Sequence, residues 1–331
     1  MITSYMTSPQ KLSFLTLSLS LFLSLLLTTF QVLKASSNSQ IISPARLIPK
    51  DLQSPSPTPT PDPVITIGLM GDLGLGRNIT NIARKNNNFT SAFDQISPWL
   101  LENDLNIANL ESTILTDCPN LDPHTFSFCG DIRFLPQFQK HPFLLSIANN
   151  HIYNFGQKGY QETKDHLKSI STPYANSHVP EDRVALLNIN GISIAYLAFD
   201  FITNPNQSQQ EVIDLVKEYD PQVDWLILSL HWGNEYLTEP EAWRQDFATE
   251  LVDAGVDILH GHHPHVWQGI RDYQSKKIYY SFGNFIFDQS WSYNTSHSNI
   301  VRLTLSKDSI LQEEIFPIEI YQNYQPRLMS P

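Results

Sequence analysis

The segment Ile258–Gln268, I-L-H-G-H-H-P-H-V-W-Q, places four of the chain's eleven histidines within six residues, at the end of an apolar run. Neutral imidazole is the commonest side-chain donor to Zn, Fe, Ni and Cu, so this crowding points to metal ligation. A single histidine on an apolar stretch is ordinarily a packed, hydrogen-bonded core residue; four within six residues around Gly261 exceed what packing needs. In an extended segment His263 and His265 share a face and His262 points away from it. The expectation is that the first two bind and His262 does not.

The same arrangement recurs upstream. Val64–Met70 is apolar and ends in Gly71-Asp72, Leu105–Leu110 ends in Glu111, and Phe143–Ala148 ends in Asn149-Asn150-His151; Trp225–Leu230 ends in His231-Trp232-Gly233. Short apolar runs of this kind predict buried strands, and open α/β sheets place ligand sites at the carboxyl ends of such strands. Asp or Asn after one strand is also ordinary turn chemistry. Five such edges carrying Asp, Glu, Asn and His together describe a site.

Further strands are expected at Ile192–Phe199, Lys277–Phe282 and Ile300–Leu305. Helices are expected at Phe93–Leu101, Gln157–Ile170, Gln210–Tyr219 and Pro240–Ala254, the last stopped by Gly255. Strand and helix alternate along most of the chain, which predicts a layered α/β domain with a mixed sheet or two packed sheets. There is no internal repeat.

The net charge of −12 over 331 residues argues against nucleic acid or an anionic membrane surface as the main partner. An acidic protein still accepts an anionic substrate where metal ions supply local positive charge. Nucleophile motifs are missing, with no G-x-S-x-G elbow. The two cysteines, Cys118 and Cys129, flank one Pro-rich loop; their spacing fits no common zinc pair, and outside the cytoplasm a disulfide is the expected state.

Residues 1–34 contain a 22-residue uncharged run, Leu12–Leu33, between Lys11 and Lys34. At about 1.5 Å per residue it spans roughly 33 Å, enough for a bilayer's hydrocarbon. It reads as a signal anchor, with a cleaved signal peptide as the alternative; the run is long for the latter and no A-x-A site follows. Either way the remainder is expected outside the cytoplasm, anchored to the cell membrane in the first case and secreted or periplasmic in the second. Residues 35–63 alternate Pro with Ser, Thr and Asp and predict a semi-rigid polyproline II linker. The globular domain is expected over 64–331.

Six motifs occur in order: G-D-L-G-L-G-R (Gly71–Arg77), A-N-L-E (Ala108–Glu111), A-N-N-H (Ala148–His151), H-W-G-N-E-Y (His231–Tyr236), G-H-H-P-H-V-W-Q (Gly261–Gln268) and S-F-G-N-F-I-F-D-Q (Ser281–Gln289). Together they resemble the bacterial CapA family of capsule and poly-γ-glutamate synthesis proteins, over roughly Thr66–Gln289. That family's fold is similar to the calcineurin-like metallophosphoesterases, which implies a layered α-β-β-α sandwich. It also implies one or two divalent transition metals (Mn, Fe or Zn) held by Asp72, Glu111, Asn150, His231, His263 and His265. By the same resemblance His151 would act as acid or phosphate ligand. Arg77 and Asn284 would hold substrate oxygens. Asn109 would lie on the substrate side or behind the donors, and Trp232, Glu235 and Gln268 would pack around them. Membrane attachment, the synthesis machinery and an anionic polymer are the partners implied.

Three residues depart from the wider pattern. Asp72 is followed by Leu73 and Gly74 rather than by a histidine two places on, Asn154 stands where the CapA pattern has Asp, and Glu111 replaces a bridging Asp. Two functional readings follow. One is a metal-dependent hydrolase of phosphoester or envelope-polymer bonds; the other is a non-catalytic envelope component that binds nascent polymer. On the topology side, protease added to spheroplasts is expected to remove the domain, since Lys11 would face the cytoplasm; full protection would contradict an outward-facing domain.

Overall fold

The computed structural model describes residues 62–204 and 207–329. The expected anchor and nearly all of the linker lie outside the described residues. Among those described, no helix is long and apolar enough to cross a membrane.

Two sheets face each other. The first has the order Gln325–Leu328, Ile310–Tyr321, His297–Leu305, Ile65–Leu73, Leu105–Leu110, Phe143–Ser146, Tyr174–Ala175, with the short Asn284–Ile286 strand added parallel to the end of Ile65–Leu73. The second has the order Ile270–Tyr273, Lys276–Tyr279, Ile258–His262, Trp225–His231, Ile192–Asp200, Val184–Ile189. In each sheet the central strands are parallel. Parallel strands covered on both faces must be apolar throughout, which is why these strands read as continuous hydrophobic runs rather than alternating ones.

Three apolar layers hold the domain together. Ile65, Ile67 and Leu69 meet Ile194, Tyr196 and Ile227 between the sheets. Helices Arg77–Asn86 and Gly156–Ser169 cover the outer face of the first sheet through Ile79, Ala83, Tyr160 and Leu167. Helices Gln209–Tyr219 and Ala242–Ala254 cover the second through Val212, Val216, Phe247 and Leu251. The layers therefore run helix, sheet, sheet, helix. Gly255 at φ +129 ends the last of these helices as expected.

The expected Phe93–Leu101 helix is only Ser97–Leu100. Turns occupy the residues before it, and Pro98 sits in its first turn, where its missing N–H costs nothing. Two glycines let backbones meet at the sheet ends. A Cβ on Gly71 would fall 1.9 Å from the Gly283 carbonyl oxygen, and one on Gly261 would fall 2.0 Å from that of Tyr280. These approaches bring the Asp72 and His262 strand ends inward.

Cys118 and Cys129 form a disulfide with a Cα separation of 5.8 Å, closing the loop that follows Glu111. Closing eleven residues removes unfolded-state freedom worth about 2–3 kcal/mol on the chain-entropy account. The double variant Cys118→Ser/Cys129→Ser is expected to lose about that much in denaturant unfolding. Thiol titration of the denatured, unreduced protein should find no free thiol, and two reactive thiols would contradict the bond.

Candidate metal centre

The ligand-type side chains converge where the carboxyl ends of both parallel sheets meet. Asp72 lies near the end of its strand, Asn109 and Glu111 straddle the end of the next, and Asn149–His151 follow the third. From the other sheet, Asp200, His231 and His262 close three adjacent strands, with Asp200 and His262 in register on either side of His231.

Asp72, Glu111 and His231 each offer a donor atom within 4.8 Å of the others, and Glu235, His263 and His265 form a second such triad. His231 Nε2 lies 2.9 Å from Asn150 Oδ1 and 3.1 Å from His263 Nδ1. His265 presents Nδ1 3.2 Å from Asp72 Oδ2 and Nε2 3.6 Å from Glu111 Oε1. The six residues expected as donors are thus brought together. Glu235, expected only to pack, joins them.

Burial dominates the electrostatics. By itself it would raise the Asp72 carboxyl, but the imidazoles of His262 and His265 reverse this and hold it well below the usual range. Glu111 is driven well above its ordinary value by burial and by the Asp72 charge. Burial also keeps His231, His260, His263 and His151 neutral, with His263 lowered to about 3 and His151 to about 4. Asp72 Oδ2 and Glu111 Oε1 are buried without a hydrogen-bond partner among the described residues. Two orphaned carboxylate oxygens in a fully buried cluster are costly unless a cation compensates them. The donor set fits a divalent metal on that ground.

Several residues act behind the donors. Asn109 is fully buried; its Nδ2 lies 2.8 Å from Asp72 Oδ1, 3.1 Å from Glu111 Oε2 and 3.3 Å from His231 Nδ1, and its Oδ1 accepts from Asn149. Its amide therefore holds the donor set. Asn284 accepts from His265 through Oδ1 and donates to the Thr295 carbonyl. The Arg77 guanidinium packs over the Phe128 ring and pairs with Asp288. His151 Nδ1 lies 3.1 Å from Asn154 Oδ1, which also accepts from the Phe128 backbone N–H. Because that oxygen only accepts, His151 carries its proton on Nδ1, and its Nε2 accepts from Asn150 Nδ2 at 3.2 Å and lies 3.7 Å from Glu111 Oε1.

His262 departs from expectation. Alternation would turn it away, but its strand ends there, and His263 and His265 adopt φ of +93 and +58, which breaks the alternation and swings all three rings inward. The Met70 carbonyl can only accept, so His260 donates to it from Nε2 and takes a hydrogen bond from His262 Nε2 at Nδ1. This leaves His262 Nδ1 facing Asp72 Oδ1 at 3.2 Å. Asp200 was also legible as a polar residue ending a strand; it sits 3.4 Å from His178 and bonds Thr203. By contrast, a groove of about 630 Å³ lined by Trp225, Lys276 and Lys277 lies at the opposite end of the Trp225–His231 strand from these donors.

Comparison with known proteins supplies a context. The family described as bacterial capsule synthesis protein PGA_cap matches residues 66–289. The PGA biosynthesis protein CapA of Bacillus subtilis is 26% identical over 291 residues, 82% of this chain and 75% of that protein. The capsule biosynthesis protein CapA of Bacillus anthracis is 26% identical over 281 residues, covering 78% and 68%. In structure, a hypothetical protein from Thermus thermophilus aligns with a TM-score of 0.52 at 12% identity over 77% of this chain and 99% of its own. A phosphatase from Mycoplasma pneumoniae aligns at 0.50 and 15%, over 79% and 96%. At such identities the structural likeness concerns the fold alone.

The depressed imidazoles set a pH dependence for the metal-free protein. Unfolded histidine titrates near 6.5, above the folded values, so on acidification the unfolded state takes up protons first. Stability is complete above about pH 6.5 and declines toward about pH 4; Glu111, shifted upward, opposes this in part. The melting temperature of chelator-treated protein is expected to fall between about pH 7 and about pH 5, and a flat or rising profile would contradict the neutral cluster.

Proposed function

We propose, for a chain that belongs to the PGA_cap family of bacterial capsule synthesis proteins, that this domain is a metal-dependent hydrolase acting on phosphoester or other bonds of an envelope polymer. The observation that carries the reading is the pair of buried, unpartnered oxygens of Asp72 and Glu111 at the meeting of two sheet edges lined with imidazole. Asp72, Glu111, Asn150, His231, His263 and His265 would hold one or two ions of the Mn, Fe or Zn type. Such an ion, when bound, supplies Lewis acidity and lowers the pKa of coordinated water.

The chain's own groups do the rest. His151, fixed by Asn154, keeps Nε2 unprotonated beside Glu111, where it accepts from the Asn150 amide. Arg77 is held in place by Asp288 and Phe128 at the edge of the site, where its charge bears on Glu111. Asn109 and Asn284 fix the donors, so substrate oxygens would meet Arg77 and His151 first. The N-terminal run would anchor the domain outside the cytoplasm at the cell membrane, near the capsule or polyglutamate synthesis machinery that the names of the Bacillus relatives describe.

One observation favours the alternative of a non-catalytic, polymer-binding component. His262, fully buried and 3.2 Å from Asp72, belongs to neither donor triad, so the histidine absent after Asp72 has no direct substitute. Metal analysis and phosphoesterase assays of the full chain decide between the two. Wild-type protein is expected to hold at least one transition metal and to hydrolyse bis-p-nitrophenyl or p-nitrophenyl phosphate. His265→Ala should abolish hydrolysis with the fold retained, and His151→Ala should lower turnover by roughly 10²-fold or more while metal content changes little. Unchanged metal content in a combined His231, His263 and His265 alanine variant would remove the site. Normal metal content with no hydrolysis of phosphoesters or polyglutamate would favour the binding reading.

A further inference from the structure

Beside the donor set the protein exposes an aromatic wall. The Tyr236 ring lies 6.3 Å from that of His265, tilted by 31°, and the Trp291 ring stands edge-on to Tyr236 at 4.9 Å. Trp291 is 63% exposed and Tyr236 39%. An indole left in water next to a buried polar centre, with no role in the core, marks a surface that meets a ligand.

The wall is built, not incidental. Tyr236 adopts φ +66, a left-handed conformation that a bulky side chain rarely takes, and its backbone N–H bonds to the Pro264 carbonyl between the two donor histidines. Such strain persists only where surrounding contacts enforce it, and it clusters at functional sites. Behind the wall, Gln289 is more than nine-tenths buried with its Oε1 lacking any donor among the described residues. At its foot stands the exposed carboxylate of Glu235.

The unmet polar atom at this wall is an acceptor. The Gln289 Oε1 lacks a donor among the described residues, and Glu235, next to Tyr236 in the chain, presents an exposed carboxylate. A saccharide offers the complement, since one face of a pyranose is a flat array of C–H groups that stacks on an indole and its hydroxyls donate to carboxylate and amide oxygens. We infer that Tyr236 and Trp291 form a sugar-binding subsite that seats a pyranose ring of the substrate next to the metal centre. The inference rests on the reading of that centre as the reacting site, and it names the substrate class as a glycan or a glycosyl phosphoester.

Saturation-transfer NMR on the full chain tests the subsite with neutral probes that need no metal, cellobiose and N,N′-diacetylchitobiose. Transfer to the ring C–H protons of at least one is expected, with affinity at least tenfold weaker in Trp291→Ala and partly restored in Trp291→Phe. Circular dichroism should show all three proteins equally folded. The subsite is overturned if neither sugar receives transfer, or if Trp291→Ala binds as well as wild type. It is overturned as well if γ-linked triglutamate or adenosine 5′-monophosphate shows the stronger Trp291-dependent signal. Metal content measured on the same samples separates the two ideas: sugar binding without any metal would sink the reading of the centre and leave the subsite standing.

Discussion

The contact on which the rest of the site depends is the approach of two fully buried carboxylates, Asp72 and Glu111. They project from adjacent strand ends into the seam between the sheets, and both are fully buried. Two charges there would repel strongly; the amide of Asn109 donates to both, His262 and His265 face Asp72, and the Glu111 carboxyl is driven upward. Every other polar residue of the centre answers the same need. Histidines approach from the opposite sheet, and imidazole, unlike guanidinium, is buried neutral at little cost and offers a lone pair to a metal. Gly71 and Gly261 are required because any Cβ would block the backbone approach that brings those histidines within reach.

The disulfide loop belongs to this arrangement. Phe128, one residue before Cys129, packs its ring 4.0 Å from that of His151 and carries the Arg77 guanidinium over its face. Its backbone N–H and the His151 ring share one acceptor, Asn154 Oδ1. A carboxylate at position 154 would favour a charged His151; the neutral amide keeps the ring oriented without charging it.

Much of the fold was legible because the central strands are covered on both faces and so are apolar without interruption. Ile65–Leu73, Leu105–Leu110, Trp225–His231 and Ile258–His262 lie where the apolar runs placed them. The outer strands were not. Ile310–Tyr321 carries Glu313, Glu314 and Glu319 and Pro317 because it is largely solvent-facing, and such a strand has no hydrophobic signature. Val184–Ile189 turns into the next strand through Asn190-Gly191, both at positive φ. That dipeptide is a hairpin signal present in the sequence.

The residues of the centre could be named from sequence because strand ends in parallel sheets are local features, each readable beside its own apolar run. Their residue types, Asp, Glu, Asn and His, also restrict the chemistry to metal and proton handling. Which side of a strand each residue serves is not local. The inward turn of His262, the recruitment of Glu235, the bracing role of Asn109 and the wall of Tyr236 and Trp291 all depend on how two sheets from distant parts of the chain are set against each other. Backbone breaks at His263, His265 and Tyr236, where φ is positive, override the alternation on which sequence reasoning relies. Residue type and period determine what a strand end can offer, whereas the meeting of the two sheets decides what it touches.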